Sequence, residues 1–446
     1  MNTEAVEIVA RLQREGYVAY FAGGSVRDRL LGKEAKDYDI ATSARPEEVQ
    51  RLFPRVTDLT GRSFGVVRVL VGEHPYEVAT FRQDGAYKDG RHPESVRFAT
   101  AEEDAQRRDF TINGLFYDPM TDRLIDYVGG EADLRAKILR AIGNPADRFA
   151  EDHLRLLRAI RFATRLNFRI EPGTFEAIRA AAKSIRTVSA ERIRDELNLI
   201  FTTHKPELGL DLLDRTGLLA EVLPDVAAMH GVEQPPQFHP EGDVYEHVRL
   251  MLTKIEHPNL ELALGVLMHD VGKKATASVD MSDRILTELR YDNKTIQTVR
   301  ELVEHHMQFK DVEHMRPSTL KRMMARPHFP LELELHRIDC SSSHGDLKYY
   351  EFLKHQLETM KPDEIDPPAL INGHDLRAMG IPPGRAMGLM IEAIRVGQLE
   401  GTVQSRAEAL ALAKKMASEP TVPLPPPRPR PPAPDAPDAS DPPPAP

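Results

Sequence analysis

Asp37 and Asp39 stand two residues apart and carry the first chemistry the sequence offers. In an extended strand, residues i and i+2 share a face, so both carboxylates project together while Tyr38 and Ile40 face the other way. Two carboxylates a few ångströms apart repel unless a cation lies between them, and hard oxygen donors suit Mg²⁺. An isolated Asp-X-Asp more often marks a solvated turn, but here the context adds to it. Gly23-Gly24-Ser25 lies 13 residues upstream of Asp37, counted from Gly24, at a strand-to-helix turn. Backbone N–H groups at such a turn can cradle a triphosphate, and Arg27 follows within one helical turn to reach the same phosphates. Glu77 is the one acid in the run Tyr76–Phe81. An acid there is costly unless paired or on a metal, although an edge-strand glutamate facing water fits the pattern equally well.

Asp152 and Arg155 form a second constellation. At i, i+3 on a helix they share a face, which for most such pairs means a surface ion pair. An acceptor beside a forked donor also complements cytosine (N4 amino, N3) and adenine (N6 amino, N1). Uracil and guanine reverse that order and would leave buried groups unpaired, a penalty of about several kcal/mol. Arg158 and Arg161 continue the same helix in steps of three, as a solvated face or as a phosphate-binding stripe. Arg165 and Arg169 remain open.

The elements that must position these residues follow from periodicity. Ala5, Ile8, Val9 and Leu12 make a helical stripe that Gly16 ends. Short strands are expected at Tyr17–Ala22, Asp37–Ala41, Val66–Val71 and Tyr76–Phe81, with helices at Val26–Leu31 and after Pro46. The fold class is therefore α+β over about the first hundred residues. From about residue 130 the pattern is helical. Glu151–Leu166 is read as one strong amphipathic helix, with others at 174–184, 190–202, 206–215, 243–256, 260–268, 293–306, 346–358 and 384–398. Beyond Glu419 the composition is Pro, Ala and Asp without period, which predicts a disordered, polyproline-like tail.

The 446 residues allow two or three domains. One cysteine, Cys340, excludes an intramolecular disulfide framework, and no stretch approaches a membrane span, so a cytoplasmic protein without membrane contact is expected. The net charge of −10 lies wholly after residue 200: the first 200 residues hold 32 basic and 32 acidic side chains. Charge therefore neither favours nor excludes an RNA partner.

Four blocks now make a specific resemblance. Gly23–Gly32 followed by Asp37-Tyr38-Asp39-Ile40-Ala41-Thr42 resembles the first motif of the class II tRNA nucleotidyltransferase and bacterial poly(A) polymerase family. Arg107-Arg108-Asp109-Phe110-Thr111-Ile112-Asn113-Gly114-Leu115 resembles its next motif, Glu151–Phe162 its base-selecting helix, and Val188–Ile193 a later helical motif. The blocks stand in family order, and the resemblance runs from about residue 5 to 415. It implies a polymerase-β-like head followed by an all-α neck and body and a helical HD-like region. The expected boundaries are 1–128 (catalytic head), 129–225 (neck and body), 226–345 (HD-like and degenerate), 346–418 (C-terminal helices) and 419–446 (tail).

The resemblance also implies roles. Asp37 and Asp39 hold Mg²⁺, and Glu77 is a third ligand or proton acceptor. Gly24, Arg27, Arg107, Arg108, Asp152, Arg155, Arg158 and Arg161 bind the nucleotide. The implied reaction adds C, C and A to the 3′ end of tRNA from CTP and ATP, with the acceptor arm as partner. The loop-like stretch 81–93 resembles the flexible loop needed for the terminal A. Gly61-Arg62-Ser63-Phe64-Gly65-Val66-Val67 departs from the arginine-rich form of poly(A) polymerases. An A-adding enzyme and a poly(A) polymerase are the alternatives within the family, and an HD-type metal-dependent phosphohydrolase is the alternative of a different class. Downstream, Leu267-Met268-His269-Asp270-Val271-Gly272-Lys273-Lys274, with His247, resembles the His-Asp signature of metal-dependent phosphohydrolases. It would hold a metal through His247, His269 and Asp270, with His305, His306 and Asp339 as weaker candidates. The Gly-His element that normally follows is missing, which predicts a damaged site.

Overall fold

The computed structural model describes residues 2–35, 37–58, 65–85, 96–235, 242–272 and 275–418. Of the segments expected to distinguish members of the family, 61–67 and 81–93, residues 61–64 and 86–93 lie outside them, as do Lys273, Lys274 and the tail. The chain divides into two compact units, one of Met1–Phe309 with Pro330–Leu347, the other of Lys310–Phe329 with the chain from Lys348 onward.

The first unit begins with a seven-stranded mixed sheet. Its strands are β1 (Ala19–Ala22), β2 (Asp39–Thr42), β3 (Val56–Asp58), β4 (Val66–Val71), β5 (His74–Thr80), β8 (Leu115–Asp118) and β9 (Arg123–Asp126), in the order β3-β4-β5-β2-β1-β8-β9. β6 (Arg82–Asp84) and β7 (Val96–Phe98) form a separate pair. β4 shows why the sheet forms: in Val-Val-Arg-Val-Leu-Val alternate residues turn inward, and Val67 and Val69 are buried. The helix Thr3–Arg14 buries its expected stripe of Ala5, Ile8, Val9 and Leu12 against Phe21, Ile40 and Val78, and Asn2 caps it through Ala5 N–H at 3.0 Å.

Two local readings need correction. The strand expected from Asp37 starts at Asp39, and Asp37 sits in the bend before it. The helix expected over Glu151–Leu166 is two helices, Pro145–Glu151 and Arg155–Leu166. Asp152 makes the break: its backbone is extended (φ −143°, ψ 106°), and its Oδ1 accepts from Leu154 N–H at 3.1 Å. A short acceptor side chain bonding the backbone two residues on competes with the helical ladder. Asp152 and Arg155 therefore do not share the face of one continuous helix.

The helices Ala190–Phe201 and Pro206–Arg215 pack against Arg155–Leu166, whose Leu156, Leu157, Ile160 and Ala163 are fully buried, and Pro172–Ala181 packs on Pro145–Glu151. The second unit is helical, with Leu376, Met387, Ile394 and Ala409 in its own core. No helix among the described residues is long and apolar enough to cross a membrane.

Candidate active site

β1 delivers the chain to Gly23, whose φ of 65° and ψ of −125° suit glycine, and a Cβ there would meet Arg108 Nη1 at 3.0 Å. The helix Gly24–Leu30 starts at once and places Arg27, 4% exposed, with Nη1 donating to Asn113 Oδ1 at 2.7 Å and an ion pair to Asp28 at 2.7 Å. Beside this turn β2 pairs in parallel with β5, Ile40 opposite Val78, so Asp39 and Glu77 lie one step earlier on neighbouring strands. Tyr38 packs edge-on against Phe21 at 5.1 Å, leaving the aspartates on the open side.

The electrostatics of Asp39 support a place for a cation. Burial of its carboxyl, and then the charge of Glu77, push its pKa up; Arg108 opposes this and Asp37 adds to it. The residue is exposed, so solvent tempers this effect. An unbalanced group of oxygen donors fits a hard divalent ion. Among the described residues, however, Asp37, Asp39 and Glu77 do not bring three oxygens within 4.8 Å of one another. Glu77 is exposed and lies 3.8 Å from Arg68 across the β4–β5 pair.

A cleft of 550 Å³ runs from Gly23, Gly24 and Asp39 to the helix Arg155–Leu166. Eight arginines and three aspartates line it, an excess of positive charge suited to a triphosphate. The anchoring is specific. Asp104, buried, receives Arg107 at 2.8 Å and Arg108 at 3.0 Å; burial pushes its carboxyl up, but the two guanidiniums hold it below the usual range. Asp109 accepts from Arg158 Nε at 2.9 Å and Nη2 at 2.5 Å, from Asn113 Nδ2 at 3.0 Å and from Phe110 N–H at 2.8 Å. Burial opposes its ionisation, yet Arg158 and these hydrogen bonds lower its pKa to about 2. Arg161 pairs with buried Glu196 at 2.9 Å.

Asp152 and Arg155 both line the cleft, but each has another partner. Asp152 pairs with Arg192 at 3.1 Å, and Arg155 with Glu151 and the carbonyls of Arg148 (3.0 Å) and Arg107 (3.2 Å). Gly24, Arg27, Arg107, Arg108, Arg158 and Arg161 are brought together here as the sequence suggests; Asp37 and Glu77 are not on this wall. The site also uses residues assigned no role from sequence: Asp104, Asp109, Asn113, Arg192 and Glu196. Asp109, Asn113 and Arg192 stand inside the quoted motifs, so the signal was present and only the pairing was invisible.

A second cluster lies in the later helices. Ligand atoms of His247, His269 and Asp270 come within 4.8 Å of one another. Asp339 joins through His247 Nε2 at 3.1 Å, and His306 Nε2 approaches Asp270 at 3.9 Å, whereas His305 turns to Glu332 at 3.0 Å. His269 Nδ1 is 2.9 Å and His306 Nδ1 2.6 Å from a backbone carbonyl, which directs each Nε2 inward. His247, His269 and Asp270 are thus brought together, with Asp339 and His306 beside them.

Comparisons with known proteins fit this geometry. Residues 19–140 match the family described as Poly A polymerase head domain, and 167–229 the one described as Probable RNA and SrmB- binding site of polymerase A. The CCA-adding enzyme of Lactobacillus johnsonii is 32% identical over 409 residues, 92% of this chain and 96% of that protein. The chain belongs to the CCA-adding enzyme family. The CCA-adding enzyme of Levilactobacillus brevis is 45% identical over 221 residues, 49% of this chain, a match that spans 55% of that relative's length. Among solved structures, the Bacillus stearothermophilus CCA-adding enzyme in complex with CTP aligns with a TM-score of 0.72 and 28% identity, covering 94% of this chain and 99% of that one. The α+β head with a helical body is thus the family's fold.

Proposed function

We propose that this chain adds C, C and A to the 3′ end of tRNA from CTP and ATP, releasing pyrophosphate. The observation that carries this reading is the arginine-lined cleft that joins Asp39 to Asp152 and Arg155, in a chain aligned almost end to end with a CCA-adding enzyme. The RNA 3′-hydroxyl attacks the α-phosphate. Asp37 and Asp39 would hold Mg²⁺, which when bound lowers the hydroxyl pKa and neutralises the triphosphate. Gly24, Arg27, Arg107 and Arg108 hold phosphates and sugar, and Arg158 and Arg161 support the nucleotide from the helix wall. Glu77 completes the acidic edge. Asp152 accepts from the amino group of C or A, with Arg192 holding the carboxylate in place, and Arg155, anchored on Glu151 and two backbone carbonyls, lines the same cleft.

The experiment supplies a tRNA lacking its 3′ end with CTP, ATP or both. Addition of C from CTP, then one A with ATP present, supports the reading. Long A tails would make the chain a poly(A) polymerase, and A added only to an end already carrying CC would make it an A-adding enzyme. Asp152→Ala is expected to reduce the preference for C and A over U and G by about 10- to 100-fold, since about 1–3 kcal/mol accompanies an unpaired buried polar group. Competition between CTP and UTP measures it, and an unchanged ratio removes Asp152 from base selection.

The cluster of His247, His269, Asp270 and Asp339 favours a second, metal-dependent hydrolytic reading of the later helices. His269→Ala is expected to lower the protein's content of bound divalent ion, measured by elemental analysis after gel filtration. If only His269→Ala, and not Asp37→Ala, removes the protein's main activity on nucleotides, the hydrolase is the principal function and transfer is not.

A further inference from the structure

A second cleft, of 610 Å³, lies beside the arginine-rich one and shares Gly24, Arg27, Asp39, Arg161 and Arg165 with it. Asp37 faces this cleft and not the first, together with Leu199, Thr202 and Thr203. Transfer requires two substrates to meet at the aspartates. The first cleft holds the guanidiniums and the base-reading groups, which leaves the second for the acceptor.

The lining has a defined chemistry. Thr202 and Thr203 follow the helix Ala190–Phe201, and their hydroxyls donate to the carbonyls of Asn198 (2.7 Å) and Ile200 (2.9 Å). A hydroxyl has one proton, so each of these can only accept from a ligand. Arg165, exposed at the rim common to both clefts, has no ion-pair partner among the described residues. Leu199 is 46% exposed and offers an apolar surface on which a base can lie. All but Arg165 fall inside the segment matched to the RNA-binding family.

We propose that Arg165, Leu199, Thr202 and Thr203 form the subsite for the last nucleotide of the acceptor RNA. Its phosphate lies at Arg165, its base against Leu199, and an O–H or N–H donor of the nucleotide on the two threonine hydroxyls. That donor is the ribose 2′-hydroxyl or an exocyclic amino group. The inference rests on the transfer reading above and adds to it the residues and the polarity of the acceptor side.

The test measures KM for tRNA lacking its 3′ end and KM for CTP separately, on the full chain. The double variant Thr202→Val with Thr203→Val is expected to raise the tRNA KM about tenfold, as expected for lost hydrogen bonds worth about 1–1.5 kcal/mol, with the CTP KM as internal control. Thr202→Ser with Thr203→Ser restores the hydroxyls and is expected to restore the tRNA KM. Arg165→Ala is expected to raise the tRNA KM and to flatten its dependence on salt. Acceptors ending in a 2′-deoxynucleotide, or in U in place of C, identify the donor: the one that already binds poorly is the one the valine variant no longer distinguishes. An unchanged tRNA KM in the valine variant overturns the subsite, and so does a rise that serine fails to reverse, which marks a merely structural role. The unaltered chain, with Asp37→Ala as the inactive control, separates the two failures: if it incorporates no nucleotide above that control, the transfer reading falls, and if it incorporates while the valine variant is normal, only the subsite falls.

Discussion

Asp39→Asn is expected to lower nucleotide incorporation by about 10³-fold or more without loss of stability. The size follows from the several kcal/mol that a metal placed at the reacting phosphoryl group contributes, at about 1.4 kcal/mol per decade. The sign on stability is the discriminating part. Burial and the neighbouring Glu77 and Asp37 charges raise the carboxyl pKa of Asp39 in the folded chain. A raised acid binds its proton more readily folded than unfolded, so ionised Asp39 works against the fold once the pH exceeds its ordinary range. Asparagine keeps the shape and removes that charge. In chelator at neutral pH, its thermal midpoint should equal or exceed the wild-type value, while primer extension with Mg²⁺ is lost. A structural aspartate would give the opposite pair of results. Incorporation within tenfold of wild type would remove Asp39 from the reaction.

Much of the site was legible because its chemistry is local. Asp37-Tyr38-Asp39, the glycine turn at Gly23 and the stripe of the helix Thr3–Arg14 are defined by residues only a few positions apart. What the sequence could not show was which charge meets which. Asp152 lies beside Arg192 and Arg158 beside Asp109, contacts across 40 and 49 residues. The break after Glu151 was hidden for a different reason: buried Phe149, Leu154 and Leu157 keep the helical stripe alive through it, so periodicity sees no interruption, and only the side chain of Asp152 bonding its own backbone makes one. His306 and Asp339 likewise join the histidine cluster through helix packing and not through any motif spacing. Conversely, most of the stretch 81–93, on which the expectation of a terminal A was based, lies outside the described residues, which begin again only at Val96.

Asp109→Ala is expected to destabilise the protein by about 3 kcal/mol at neutral pH and to raise the KM for CTP. Asp109 is 7% exposed and accepts from Arg158, Asn113 and the Phe110 N–H. Asn113 in turn accepts from Arg27, so one carboxylate ties the arginines of the helix wall to those of the glycine turn. Removing it leaves a buried amide and a backbone N–H without their acceptor and frees Arg158. Stranding one partner of a buried pair costs about 3–5 kcal/mol, and the lower end applies because Arg158 reaches water in the cleft, its side chain 34% exposed. The pH dependence carries its own sign. The carboxyl pKa is lowered from 3.8 to about 2 on folding, so its contribution is complete above the unfolded value and disappears as the pH falls through the folded one. Linkage gives about 2 kcal/mol for that shift. The difference in urea stability between wild type and Asp109→Ala should therefore stay constant from pH 7 down to about 5 and shrink by about 2 kcal/mol as the pH falls from about 4 to about 2. A difference that stays constant down to pH 2 would mean that the charge of Asp109 does not support this wall of the cleft.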